Sequence, residues 1–321
     1  MSIFGKLVAP RLPAAAVALS GDGAGLVQLE RRRDSFAVRK AGYVPLAEGV
    51  LTPGFDGPNV ADPEGLARSL SDLTSSAGLQ RRRRWSVGLP EAATRTAIVT
   101  LETTAANRHE GEEMLRWKIE RTMGVAADDL RAVRERLPAD AQGRPRYLVA
   151  AARLDVLAEY EEVFAGLGWH TGLILPRHLG EAWWLMRGRP GADSLLVSSH
   201  QDGFTAVVMR GGLPLLVRTV ACEAEDCADE LYRFLLFYRD RAASDAGAEE
   251  GAAPLPGETI ERLLVAGDGI GYEEASALVA ETLDAAPRPV GPEEARLAFP
   301  PGELDFQLIA APAGLAALAF A

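Results

Sequence analysis

One pattern occurs twice in this chain and constrains its fold more than any single motif: three short apolar strands joined by tight turns, then a helix. In the first copy Ala14–Leu19 and Gly25–Glu30 flank the turn Ser20-Gly21-Asp22-Gly23, and Ser35–Lys40 alternates as a third strand. Glycine and aspartate supply the unusual backbone angles and local hydrogen bonds that such turns need. Asp62 caps an expected helix over Pro63–Ala77, with Pro63 at its first position and Gly78 ending it. The apolar run Trp85–Leu89 then suits a central strand. In the second copy Ser194–Ser198, Phe204–Met209 and Leu215–Val220 repeat the meander, with turns at Gln201-Asp202-Gly203 and Arg210-Gly211-Gly212. A helix over Glu225–Arg241 follows, its apolar face made of Leu231, Phe234, Leu235 and Tyr238. Strand Arg262–Ala266, the turn Gly267-Asp268-Gly269-Ile270-Gly271 and helix Glu273–Leu283 complete the repeat.

An insertion separates the parts of the first copy. Asn107 or Thr104 caps a helix running to Met123, with Met114, Trp117, Ile119 and Met123 among its apolar positions. A polar loop around Pro138–Pro145 divides two strands, the second being Tyr147–Ala152; helix Leu154–Leu167 and strand Trp169–Leu175 follow. The organisation read from this is α/β and two-lobed. The first lobe spans 1–190, with an inserted α/β subdomain at about 107–170; the second spans 191–321, with a flexible Ala, Gly, Glu and Pro loop at about 242–258. Two such lobes leave a cleft between them.

Composition removes several classes of function. A net charge of −11 leaves no broad basic footprint for nucleic acid. Cys222 and Cys227 make no disulfide framework, and with four histidines in all there is no metal set, so two reduced thiols in a reducing cytosol are expected. No run of eighteen apolar residues exists to span a membrane. Leu12–Leu19 reads as the first core strand rather than a signal segment, and Leu308–Ala321, broken by Pro312, as a buried helix. Nucleophile elbows, Walker loops and zinc-helix motifs are absent from the sequence. The pairs Glu112–Glu113 and Glu161–Glu162 read as solvated, the run Arg81–Arg84 as a solvated lead into a strand, and His170 and His178 as ordinary partly buried histidines.

Several segments, taken in order, carry a resemblance. They are Met1–Lys6, Leu26–Leu29, Trp85–Pro90, Met114–Val125 with Trp117 and Glu120, Tyr147–Leu167, Arg262–Gly271 and the final helix. Together they resemble the PilM-like type IV pilus assembly proteins, an FtsA-like branch of the actin/hexokinase/heat-shock ATPase superfamily, over nearly the whole chain. The resemblance implies an actin-like (ribonuclease H-like) two-lobed fold. It also implies two hairpin turns that, in active members, each place an aspartate for magnesium and a glycine beside the phosphates. Here Ala18 and Ser20 stand at those positions in the first turn, and Ser198 and His200 in the second. Neither alanine nor serine offers magnesium an anionic oxygen. Gly267 and Gly269 fall where the family contacts the adenosine, and are the only cofactor-binding candidates carried over; no catalytic or metal-binding residue is assigned.

The function implied is that of a cytoplasmic scaffold without appreciable ATPase activity, held at the inner membrane through its partners. Its ligand would be the cytoplasmic N-terminal tail of a PilN-like single-pass membrane protein, bound as an extended peptide beside the inserted subdomain. Other pilus or secretion platform components are further partners, and no cofactor is expected. The alternative is an active actin-like ATPase or sugar-kinase-like phosphotransferase, which would have to recruit Asp22 and Asp202 to hold Mg-ATP.

Overall fold

The first strand of each lobe's meander, Ala15–Leu19 and Asp193–His200, is buried along all or nearly all of its length, as a strand covered on both faces must be. The computed structural model describes residues 12–103, 105–186, 193–245, 260–299 and 304–321. With elements numbered along the chain, the first sheet contains β1 (Ala15–Leu19), β2 (Gly23–Arg31), β3 (Phe36–Pro45), β4 (Arg84–Leu89), β8 (His170–Pro176) and the short β14 (Leu297–Ala298), in the order β14-β3-β2-β1-β4-β8. The second contains β9 (Asp193–His200), β10 (Gly203–Arg210), β11 (Leu213–Ala221), β12 (Ile260–Ala266) and β13 (Arg288–Pro289), in the order β11-β10-β9-β12-β13. In both, a three-stranded antiparallel meander is extended by parallel strands beside its first member: β4 on β1, and β12 on β9. This shared order is the duplication read from the sequence, and it is the actin-like α/β fold.

Helices cover the outer face of each sheet. In the first lobe α1 (Pro63–Ser76) and α3 (Leu154–Gly166) bury Leu66, Leu70, Tyr160 and Phe164 against β1 and β4. The Asp62 side chain caps α1 by accepting from the Gly65 amide at 2.9 Å. Trp169 stacks between Trp85 and Phe164, with ring centroids 4.8 and 5.9 Å away; such pairs add about 1 kcal/mol each beyond their burial. In the second lobe α5 (Cys227–Asp245) and α6 (Tyr272–Leu283) do the same, through Leu231, Phe234, Leu235, Ala275 and Val279. Between the two sheets lie α4 (Arg177–Ala182) and α7 (Phe306–Ala317), in a third core that includes Val27 from β2 and Leu196 from β9.

Four differences from the sequence reading have physical reasons. The compact insertion is a separate antiparallel sheet, β5 (Arg95–Thr100), β7 (Arg146–Arg153) and β6 (Leu130–Leu137), with α2 (Arg108–Met123) on one face. It therefore spans 95–153 rather than 107–170: β8 pairs with β4, and α3 packs into the first-lobe core. Trp117, expected on the apolar face of α2, is 55% exposed. Leu115, Ile119 and Met123 are the buried stripe at four-residue spacing, and Trp117 lies on the opposite side of the helix. The end of the chain does not stay with the second lobe, because β14 pairs with β3 and α7 packs on β1, β2 and β4. Helix α5 continues to Asp245, past the expected end at Arg241, through the strong helix formers Ala242 and Ala243. The rest of the expected loop from 246 onward, the lead-in Met1–Lys6 and the alternative cap Thr104 lie outside the described residues.

Candidate functional site

The two β-hairpins of the duplicated meanders point their turns at one another across the interlobe cleft. The cleft holds a cavity of about 240 Å³, lined from the first lobe by Ala18, Ser20, Asp22 and Tyr43 and from the second by Ser199, His200 and Gln201. The pairing register makes Ala18 and Ser198 equivalent, each lying beside its parallel neighbour at Gly88 and Ala266. Ser198 is fully buried and its hydroxyl donates to Glu91 Oε1 at 3.1 Å, so it is turned away from solvent. Of the two acids that a shifted register would recruit, Asp22 lines the cavity and accepts from the Ser20 hydroxyl at 2.7 Å; Asp202 is not among the lining residues.

Gly267 and Gly269 also line this cavity, beside Asp268. Each has a packing reason to be glycine. Gly267 has φ +84°, and a Cβ there would sit 2.4 Å from the Ser199 carbonyl oxygen; a Cβ on Gly269 would sit 2.8 Å from Ser199 Oγ. The same Oγ accepts from the Ile270 amide at 3.1 Å. The turn is thus tied to the end of β9 whether or not anything occupies the cleft.

Beneath the cavity lies a buried ionic cluster that the sequence reading did not single out. The Arg177 guanidinium sits 3.0 Å from Glu181 Oε1 and 3.4 Å from Glu91 Oε1. Both carboxylates are buried, and the second oxygen of each has no hydrogen-bond partner. Burial pushes both carboxyl pKa values up, and the single arginine only partly opposes this. The elements explain the meeting. Parallel β4 and β8 pair Leu89 with Pro176, which brings the residues just after each strand, Glu91 and Arg177, to the same end of the sheet. A repeated Leu-Pro-charged ending, Leu89-Pro90-Glu91 and Leu175-Pro176-Arg177, was the available signal.

His178 and His200 border the cluster beside Arg177, and His178 Nε2 shares a 3.1 Å hydrogen bond with Thr96 Oγ1. Burial first, then the neighbouring His200 and Arg177, hold the His178 pKa down to about 3. Burial and Arg177 hold His200 down to about 4. Both rings therefore stay neutral in the folded chain where the unfolded chain, with pKa near 6.5, takes up protons. Their contribution to stability is complete above pH 6.5 and is lost as pH falls towards 4. The two carboxylates act with the opposite sign, because their raised pKa favours the fold on the acid side. His178→Gln is expected to narrow the difference in unfolding free energy between pH 7 and pH 5 by about 2 kcal/mol. Urea unfolding at the two pH values measures it; an unchanged difference would mean that His178 is not kept neutral.

A second candidate site lies on the far face of the inserted sheet. A narrow pocket of about 40 Å³ is walled by Val133 of β6, Ala150 and Ala152 of β7, Leu157 of α3, and Ile174 and Leu175 of β8. Among the described residues β6 pairs only with β7, and β8 only with β4, so each presents a free strand edge. Val133, 45% exposed, stands at the mouth of this pocket.

No family model matches the sequence, and no curated protein matches it. Solved structures do. A chain of the PilM-PilN type IV pilus biogenesis complex is 20% identical with TM-score 0.71, covering 97% of this chain and 100% of that one. A Bacteroides thetaiotaomicron protein with an actin-like ATPase fold and unknown function is 11% identical with TM-score 0.48, covering 97% and 98%. The cytoplasmic domain of EpsL, an inner-membrane component of the type II secretion system of Vibrio cholerae, is 16% identical with TM-score 0.43, covering 93% of each chain. This chain is an actin-like two-lobed protein with the fold found in the PilM-PilN type IV pilus biogenesis complex.

Proposed function

We propose that this chain is a scaffold of a type IV pilus or related secretion platform, and that it binds the cytoplasmic N-terminal tail of a PilN-like membrane protein rather than turning over ATP. The observation carrying the reading is the narrow apolar pocket between β6 and β8, where an extended peptide would find two free strand edges and a socket for a small apolar side chain. The end-to-end fold likeness to a structure that pairs PilM with PilN supports the choice of partner. Among the described residues no helix is long and apolar enough to cross a membrane, so attachment to the inner membrane would come through that partner.

The cleft supports the second half of the proposal. The Ala18 side chain carries no oxygen, the Ser198 hydroxyl is committed to Glu91, and the His200 ring lines the second turn. That donor set is a poor match for magnesium, which prefers anionic oxygens. The alternative, an active ATPase or sugar-kinase-like phosphotransferase, keeps a supporting observation: the Asp22 and Asp268 carboxylates at the cavity wall.

One calorimetric series tests both halves. The titrants are Mg-ATP and a synthetic peptide copied from the N-terminal tail of the single-pass membrane protein encoded beside this gene. The peptide is expected to bind, and Val133→Asp or Ile174→Asp to weaken it by about tenfold or more, while Mg-ATP gives no saturable heat. Tight peptide binding indifferent to both substitutions moves the docking site elsewhere, and no binding at all ends the scaffold reading. Saturable Mg-ATP binding lost in Asp22→Asn would favour the enzyme. Deleting residues 107–170 cannot serve as the test, because it removes α3 and with it Tyr160 and Phe164 of the first-lobe core.

A further inference from the structure

On an acidic protein, one groove gathers positive charge. It lies where the β2–β3 turn of the first lobe meets the start of β12 and the segment from β13 to β14, and has a volume of about 590 Å³. Along β12 it is at the end opposite the interlobe cavity: Arg262 lines the groove and Gly267 the cavity, five residues or about 17 Å apart. Six arginines line it against three carboxylates, Asp34, Glu261 and Glu294.

Two of the arginines are structural. Arg262 is buried, bonded to Ser194 Oγ and the Leu185 carbonyl, and 3.6 Å from Glu294; Arg31 donates to the Phe320 carbonyl at 2.7 Å. The other four, Arg32, Arg33, Arg288 and Arg296, are exposed, and none has a side-chain hydrogen bond or an ion pair among the described residues. Arg296 supplies a second, independent observation. Its backbone has φ +52°, in the left-handed region that glycine or asparagine occupies at less cost. The strained residue is anchored by its neighbours, with its amide donating to the Glu293 carbonyl and its own carbonyl accepting from the Phe36 amide, both at 3.0 Å. A strained position filled by arginine where glycine would be cheaper points to a use for the side chain.

We propose that this groove is a binding site for a small phosphate-rich anion. Its volume lies in the range of small-molecule sites. Guanidinium forks match phosphate oxygens two at a time. Phe36 is the one apolar residue in the lining and it is buried, so there is no ring or acyl surface for a ligand to cover. Recognition is therefore of the phosphates themselves. Because the walls come from both lobes, an occupant bridges them, and its binding favours whichever lobe arrangement brings Arg32 and Arg288 within reach of one anion.

The test is titration of the full chain with inorganic tripolyphosphate at low salt and without magnesium, with Arg288→Ala, Arg296→Gly and, as a distant control, Arg68→Ala. Saturable binding is expected, about tenfold weaker or worse in the first two variants, unchanged in the control and falling as salt rises. Arg296→Gly also relieves the backbone angle, so its melting temperature should hold or rise while affinity falls, which separates lost binding from lost folding. Two further probes run alongside: an oligoglutamate peptide, and vesicles containing anionic phospholipid. Equal affinity for oligoglutamate with the same arginine dependence, or binding to vesicles but not to tripolyphosphate, overturns the proposal in favour of an acidic protein segment or a membrane. Absence of tripolyphosphate binding, or binding unaffected in both variants, overturns it outright.

Discussion

Gly314→Ala is expected to destabilise the chain by roughly 3 kcal/mol or more, at the upper end of overpacking effects, lowering the melting temperature by about 5 °C or more. Gly314 lies on α7 where it crosses α4 between the two sheets, and an added Cβ would stand 1.7 Å from the carbonyl oxygen of Gly180. The approach is reciprocal: a Cβ on Gly180 would stand 2.4 Å from the Ala311 carbonyl oxygen. Backbone meets backbone at this crossing, so no side chain can rotate out of the way. Relief requires the helices to separate, and Trp184 pins them by donating to the Ala310 carbonyl at 2.9 Å. Gly166→Ala is the control, because that glycine ends α3 with nothing within 4 Å of its would-be Cβ. It should be neutral or slightly stabilising. Thermal unfolding of the two variants decides the matter. A Gly314→Ala protein that melts within about 2 °C of the parent would show that α4 and α7 do not cross this closely.

The contrast between these two glycines marks how far the sequence can be read. Strand and turn chemistry is local, so the doubled meander, the Asp62 cap and the helix end at Met123 all follow from short windows of sequence. The buried character of the final helix is also local information. Its destination is not: an all-apolar segment such as Ile309–Ala317 carries no stripe that says which sheet it covers, and it packs between both. The insertion reads twelve residues late because β5, Arg95–Thr100, is half-exposed and alternates weakly, whereas Asn107 announces a helix clearly. The interlobe cavity is legible to the extent that its turns are. The ions beneath it leave only the faint trace of the two Leu-Pro-charged endings, since Glu91 and Arg177 meet through the β4–β8 register. The arginine groove joins residues more than 250 positions apart and has no local signature at all.

Arg177→Met is expected to cost about 3–5 kcal/mol at neutral pH, the loss that follows when one member of a buried ionic group is removed. The methionine fills most of the volume, so the effect is electrostatic: Glu91 and Glu181 remain buried, facing each other, with the cation between them gone. Two consequences distinguish this from simple misfit. The first is its pH dependence. Arg177 opposes the burial-driven rise of both carboxyl pKa values, so its removal raises them further above the unfolded value. The folded variant then holds protons that the unfolded chain releases above about pH 4.3, and its stability falls as pH rises through that window. The deficit relative to the parent should therefore be larger at pH 8 than at pH 5. The second is rescue. Glu91→Gln and Glu181→Gln added to Arg177→Met neutralise the site, and most of the lost stability should return, as it does when a whole buried ionic group is replaced rather than broken. Ser198 can still donate to the side-chain oxygen that Glu91→Gln retains, and that bond keeps the cavity floor in place. Urea unfolding of the single and triple variants at the two pH values measures both. A deficit that is flat with pH, or a triple variant no more stable than Arg177→Met, would mean that the arginine stabilises this junction by packing and not by charge.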